Sequence, residues 1–258
     1  MNTMFNTLLA AAAKKKDDAF TLGILISGDE LQYGVTPHWD SGGYCHVDWG
    51  DGTETDAARS GTTLSHTYAA EGEYILRIKG DLLRLSSASL NPGALRSCNG
   101  NWGALGTLTS GNTMFYNAVN AVLDFTELPP SLTSAISMFN GCRAAPLRLT
   151  SLPPGLVTAN SMFQSCLSAE LNITELPAGI TTGVYLFYRC LKATIDLDTL
   201  VANAPGGWPS LTNANFMFYS AGSGNTPGTV TGSQAAFKNK CPGVSSWSEV
   251  FNGTNTTA

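Results

Sequence analysis

Few residues of this 258-residue chain could carry acid–base or nucleophilic chemistry, and they are scattered. Its three histidines, His38, His46 and His66, belong to no His-Glu-x-x-His pattern. Neither a Gly-x-Ser-x-Gly elbow nor a glycine-rich phosphate loop occurs. A structural role is the expectation for all three. Asp48 and Asp51 could touch a Ca²⁺ ion, yet the spaced oxygen ligands of an EF-hand loop are missing, so their expected job is to cap a turn. Glu127 and Glu175 share a repeat column, with Ser151 between them. Paired-carboxylate hydrolysis needs a pocket between the two groups, which an open repeat face does not make. The six cysteines form no Cys-x-x-Cys pair, which excludes zinc-ribbon and dithiol redox motifs. The sequence therefore reads as non-enzymatic, with no catalytic residue, no metal and no cofactor.

Composition narrows the class further. A net charge of −5 argues against nucleic acid as a partner, because phosphate binding needs a basic footprint. Apolar residues make up 43% of the chain, enough for a real core and one or two domains. Only 13% is charged, and Gly, Thr, Ser and Asn are plentiful, a balance that suits a mainly β protein. No apolar run approaches the length of a bilayer span, so no membrane span is expected.

The elements that must position any site are set by a repeat. Leu123-Asp-Phe-Thr-Glu-Leu-Pro129 recurs as Leu147-Arg-Leu-Thr-Ser-Leu-Pro153 and Leu171-Asn-Ile-Thr-Glu-Leu-Pro177, and more loosely as Ile195-Asp-Leu-Asp-Thr-Leu200, a period of 24 residues. Met114-Phe115, Met138-Phe139, Met162-Phe163 and Leu186-Phe187 keep the same period, as do Cys142, Cys166 and Cys190. Such a period predicts a solenoid, because one unit cannot bury its own apolar side and stacked units can. The Leu-x-Leu alternation predicts a short strand in each unit, paired in parallel with its neighbours. The cysteine column then reads as a ladder of small buried thiols. Residues between the buried ones project outward: Asp124, Arg148, Asn172 and Asp196 in one column, Thr126, Thr150, Thr174 and Asp198 in another. These are the candidate ligand-binding residues. Tyr116, Tyr188 and Tyr219 follow the Phe of their units, where either an interface or a core role is open.

Upstream, Met1, Met4, Phe5, Leu8 and Leu9 fall on one helical stripe, and Lys14, Lys15 and Lys16 suit the helix end. The segment departs from a signal peptide: Met1-Asn2-Thr3 carries no base, Asn6 and Thr7 interrupt the apolar run, and the lysines lie on the wrong side. A short helix with one apolar stripe is marginal alone. It is expected to pack on the repeats, on a copy of itself in a homo-oligomer, or in a larger assembly.

Phe20–Ser27, Tyr44–Trp49 and Tyr74–Lys79 read as strands separated by Gly-rich turns, a spacing that fits a β-sandwich. Val47-Asp-Trp-Gly-Asp-Gly-Thr53, His66-Thr-Tyr68 and Gly72-Glu-Tyr74 occur in the order found in PKD domains, and this stretch of about 60 residues resembles that family. The resemblance implies an immunoglobulin-like sandwich used as a spacer or binding module. The repeat block, with Phe139-Asn-Gly-Cys142, Phe163-Gln-Ser-Cys166 and Phe187-Tyr-Arg-Cys190, resembles BspA-like leucine-rich repeats, although Met or Leu stands before the Phe where many members have Ala. This order of domains resembles gut-bacterial surface proteins and proteins of their phages.

The expected organisation is then a short attachment or oligomerisation helix over 1–18, a PKD-like sandwich over 19–80, and a junction and N-terminal cap over 81–110. Leucine-rich repeats follow over 111–220, then a C-terminal cap and tail over 221–258. In that scheme Leu82, Leu83, Leu85 and Leu90 cover the open end of the repeats, Gly222 to Gly232 is a polar loop, and Asn252 onward is a frayed tail. The expected function is a structural or binding protein of a phage virion, with a bacterial cell-surface adhesin as the alternative. Expected partners are proteins of a larger assembly and cell-surface protein or glycan.

Overall fold

The computed structural model describes residues 18–223, 228–247 and 249–254, and the chain is mainly β. It divides into two compact units, Met1–Leu108 and Thr109–Ala258. The stripe Met1, Met4, Phe5, Leu8 and Leu9 lies outside the described residues.

In the first unit, alternating and fully apolar runs build two antiparallel sheets. Its strands are β1 (Phe20–Ile26), β2 (Gln32–His38), β3 (Cys45–Asp48), β4 (Glu54–Asp56), β5 (Leu64–Thr67), β6 (Gly72–Gly80), β7 (Arg84–Leu90) and β8 (Leu95–Cys98). One sheet has the order β4-β3-β6-β1-β8, the other β5-β2-β7. Strand β1 is apolar on both faces, as a central strand should be, and pairs with β6 from Phe20↔Ile78 to Ile26↔Gly72. On its other side it pairs with β8, with a register shift between Gly23 and Ile24. Phe20, Leu22, Ile24, Leu76 and Ile78 are fully buried, with Tyr33 and Val35 of β2.

This pairing corrects the expected boundary at residue 80. Residues 81–108 belong to the first unit. Arg84–Leu90 is the partner of β2, Leu95–Cys98 is the partner of β1, and Leu82 and Leu85 are buried within the first unit. The leucines alternate and could serve any apolar neighbour. Their backbone, however, completes sheet edges that would otherwise stay unpaired.

In the second unit, the repeat appears as hydrogen-bonded rungs rather than as regular strands. The expected strand in each Leu-x-Leu segment does not form. These segments share only scattered bonds, such as Arg148 N–H to Phe125 O at 2.8 Å and Asn172 N–H to Leu149 O at 2.9 Å. Pro129, Pro130, Pro146, Pro153, Pro154 and Pro177 flank these segments and carry no N–H with which to extend the pairing. The continuous ladder runs instead through the Met-Phe segments. Phe115 N–H donates to Met138 O, Phe139 to Met162, Phe163 to Leu186, Phe187 to Met217 and Phe218 to Val250, at 2.8–3.1 Å. Isolated parallel bridges join Ser110, Ser134, Thr158, Thr182 and Asn213 in the same order.

Each Met-Phe segment is a run of overlapping tight turns. In the second rung, Met138 N–H bonds Ala135 O, Asn140 N–H bonds Ser137 O, and Cys142 N–H bonds Phe139 O. Such turns require left-handed backbone at fixed positions. Two residues before each Phe, Thr113, Ser137, Ser161, Tyr185 and Phe216 have φ of 54–58°. Two residues after it, Asn117, Gly141, Ser165, Arg189 and Ser220 have φ of 51–79°. Between these columns the buried rings of Phe115, Phe139, Phe163, Phe187, Phe218 and Phe251 stack, with centroids 5.5–5.8 Å apart and planes within 12°.

Three further expectations change after residue 194. The loose fourth copy of the Leu-x-Leu element is not a strand column throughout. Thr194–Asp196 forms β9, and Leu197–Asn203 is helix α1, whose N-cap Asp196 accepts from the N–H groups of Asp198 and Thr199. The expected loop at Gly222 to Gly232 contains β10 (Thr229–Thr231), paired in parallel with β9. Helix α2 (Gln234–Asn239) follows, capped by Ser233. The ladder also continues past 220. Phe251 stacks on Phe218, and Ser220 N–H donates to Asn252 O at 2.8 Å, so Asn252 belongs to a rung rather than to a frayed tail.

Phe163 lies at the middle of the ring stack, with a ring on each side. Phe163→Ala should cost about 3–5 kcal/mol of stability, because the lost ring leaves a cavity that the rungs on either side cannot close while they keep their hydrogen bonds. Urea unfolding followed by circular dichroism would check this, and a cost below about 1 kcal/mol would show that the stack is not the core.

Candidate binding surfaces

The residues from Asp48 to Tyr74 fold into a linked polar and aromatic cluster. Gly50 has φ of 82°, and a Cβ there would lie 2.5 Å from Ile75 O, so the turn after β3 needs glycine. Asp48 Oδ1 accepts from Gly50 N–H at 2.8 Å, and Asp51 Oδ1 accepts from Thr53 N–H at 3.0 Å and from the Thr53 hydroxyl at 2.6 Å. Both carboxylates thus act as turn caps. Asp51 also meets His66 Nε2 at 2.7 Å. The His66 ring stacks on Trp49 at 5.1 Å and meets the Tyr68 ring edge-on at 4.6 Å. Tyr68 Oη donates to Trp49 O at 3.1 Å, tying the end of one sheet to the end of the other. Burial works against ionisation of Asp51. The Thr53 hydroxyl, the His66 ring and the Thr53 N–H outweigh it and bring the carboxyl down to about 2.

The other two histidines are also held in the sheets. His46 on β3 faces Asp56 at 2.8 Å and Glu54 at 3.6 Å on β4. His38 Nε2 accepts from Arg84, and burial followed by the arginine charge lowers its pKa. No group of three or more metal-ligating side chains occurs among the described residues.

The cysteine column has its own regular geometry. Cys142 Sγ donates to Phe115 O at 2.8 Å, Cys166 to Phe139 O at 2.9 Å and Cys190 to Phe163 O at 2.8 Å. Each thiol therefore reaches one rung back and binds the carbonyl of the buried Phe. All three are free thiols. Burial pushes Cys142 up to about 12, and Cys166 and Cys190 well above the usual thiol range.

The outward columns divide. Asp124, Thr126, Arg148, Thr150, Asn172 and Thr174 are exposed and alternate with buried Leu, Phe and Ile. Arg148 pairs with Asp124 across one rung, an exposed ion pair of small energetic weight. The Thr174 hydroxyl donates to Thr150 O at 3.4 Å. Asp196 and Asp198 do not continue these columns. Asp196 binds the Thr199 hydroxyl at 2.6 Å, which with backbone N–H groups holds its carboxyl below the usual range. Asp198 sits in the first turn of α1 and accepts from Ser233 N–H at 3.0 Å.

A second surface emerges beside the ring stack. Tyr116 is 43% exposed, and Tyr188 and Tyr219 are partly exposed. Tyr185 and Phe216, which the sequence reading did not single out, are partly exposed beside them. Tyr185 stacks on Phe216 at 4.8 Å and Tyr188 on Tyr219 at 5.2 Å, making a two-by-two block of rings. The signal was present in the repeat: a column of Thr113, Ser137 and Ser161 switches to Tyr185 and Phe216.

Comparison with protein-family models, with curated proteins and with solved structures finds no match to this chain.

The Asp51 carboxyl has a folded value below its unfolded one, so its stabilisation is complete above about pH 4 and is lost as pH falls toward 2. Asp51→Asn should remove about 1–2 kcal/mol at neutral pH and flatten that part of the acid-unfolding profile, read by thermal melts from pH 2 to 7. The Cys142, Cys166 and Cys190 thiols should resist iodoacetamide in the native protein at pH 8 and react fully in denaturant. Native labelling at the rate of a free thiol, read by peptide mass spectrometry, would contradict their burial.

Proposed function

We propose that this chain is a non-enzymatic structural and binding protein of a phage virion, as a tail, fibre or decoration component. In this reading the first unit is a PKD-like, immunoglobulin-like sandwich, and the second is a BspA-like leucine-rich-repeat solenoid with a 24-residue period. The observation that carries the reading is the alternation of buried Leu, Phe and Ile with exposed residues in successive 24-residue units. It sets Asp124, Arg148, Asn172 and the threonines beside them at corresponding positions, joined by bonds such as Arg148 N–H to Phe125 O and Asn172 N–H to Leu149 O. A surface of that kind suits recognition of an extended protein or glycan partner. The histidines add support, because each is engaged by a partner within the first unit rather than gathered into a reacting group. Partners on this reading are other virion proteins, a second copy of the chain, and cell-surface protein or glycan.

A bacterial cell-surface adhesin is the second reading, favoured by the likeness of the domain order to gut-bacterial surface proteins. Mass spectrometry of purified particles and envelope fractions from the native source separates the two. The virion reading expects the protein in banded phage particles, with its N-terminal peptide intact from Met1. Recovery in the envelope fraction, trimmed near Ala13, would replace it with the adhesin.

A further inference from the structure

We propose that the Tyr185–Tyr188–Phe216–Tyr219 face is a binding site for a neutral, hydroxyl-rich oligosaccharide. The inference rests on the binding reading above but uses a surface distinct from the Asp124 and Thr126 columns. Three observations carry it. The first is backbone cost. Tyr185 and Phe216 stand at left-handed positions, with φ of 57° and 58°, where the same turn is made by Thr113, Ser137 and Ser161 in the earlier rungs. Bulky side chains are disfavoured there, and small residues suffice for the fold, so the rings serve something other than the turn.

The second observation is their place outside the core. The buried stack beside them is already complete through Phe187 and Phe218, so these four rings are additional and partly exposed. They form one continuous block, with Tyr185 edge-on to Tyr188 at 5.3 Å and Phe216 tilted against Tyr219 at 5.7 Å.

The third observation is the chemistry of the border, which selects the occupant. The column of Tyr188 and Tyr219 continues as Asn140, Gln164 and Asn252, and Asn140 Nδ2 donates to Gln164 Oε1 at 3.2 Å. The column of Tyr185 and Phe216 continues as Ser137 and Ser161. Amides and hydroxyls beside aromatic rings offer hydrogen bonds to sugar hydroxyls and apolar contact to sugar C–H groups. Arg189 directly follows Tyr188, and Glu249 continues the column of Tyr185 and Phe216; together they bring no net charge, which disfavours an anionic chain. Between the two rungs the exposed rings are 4.8 and 5.2 Å apart, comparable to the length of one pyranose unit, so successive sugars can meet successive rungs.

The test is affinity electrophoresis and saturation-transfer NMR of the full chain against four neutral polysaccharides: a β-glucan, a mannan, a xylan and a galactan. Variants take the residues already present in earlier rungs, Tyr185→Ser with Tyr188→Gln, and separately Tyr219→Asn, so that the turns are retained. Circular dichroism melts confirm folding. At least one glycan should bind, the Tyr185→Ser/Tyr188→Gln variant should weaken it about tenfold or more, and Asp124→Ala with Arg148→Ala should leave it unchanged. Binding to none of the four, equal binding by the tyrosine variants, or loss only in the Asp124/Arg148 variant would each overturn the proposal. The last outcome would still leave the Asp124 surface as a binding face, and recovery from virions bears on neither.

Discussion

The second unit depends on one backbone constraint: a pair of left-handed residues placed on either side of a buried phenylalanine. That pair folds the chain into consecutive tight turns. It also turns the N–H groups before, at and after the phenylalanine toward the carbonyls of the next rung. Each left-handed residue that is not glycine carries a cost of about 1 kcal/mol or more. The ladder offsets it, because the N–H groups of these columns, from Thr113 to Tyr185 and from Asn117 to Ser220, find partners in the next rung and the phenyl ring between them is buried. The cysteine thiol extends the arrangement by binding the same phenylalanine carbonyl from the following rung.

The first unit solves a different problem. Two separate sheets must be held together at their ends, and the motif Trp49, Asp51, His66 and Tyr68 supplies the tie. Glycine at position 50 lets the backbone pass close to Ile75, and the Asp51 carboxylate collects the Thr53 and His66 donors that the turn leaves unpaired. The side chains of this motif are thus occupied by one another. Such residues attract notice in a sequence because they are chemically versatile, yet their versatility is spent on joining sheet ends.

Sequence periodicity made the repeat legible because buried columns of Leu, Phe, Met and Cys impose one register on 24 residues. It could not show that the hydrogen-bonded ladder lies in the Met-Phe segments. Alternating burial looks the same in a paired strand and in an extended segment, flanked by prolines, that shares only scattered bonds with its neighbour. The misplaced boundary at residue 80 has a related cause: the leucines of β7 and β8 mark burial but not which sheet edge they complete. Of the candidate surface, the exposed columns through Asn172 and Thr174 could be read from alternation. Asp196 and Asp198 could not, since a helix N-cap and a strand column place the same residue types at the same spacing. Tyr185 and Phe216 were overlooked because a left-handed position in a turn leaves no hydrophobic period to detect.

Among the described residues each rung of the ladder bonds to the rungs beside it, and the Phe and left-handed columns pass through each at the same offset. The length of the unit is therefore a quantity that genetic duplication or loss can change in whole steps. Deleting residues 139–162 would join Met138 directly to Phe163 and reproduce the Met-Phe-Gln-Ser-Cys sequence of an existing rung at the seam. The same arithmetic lets a lineage lengthen its reach toward a distant partner without redesigning any contact, while an insertion of any other size must be accommodated outside the ladder, as between Phe187 and Phe218, where the interval holds helix α1 and the buried Trp208.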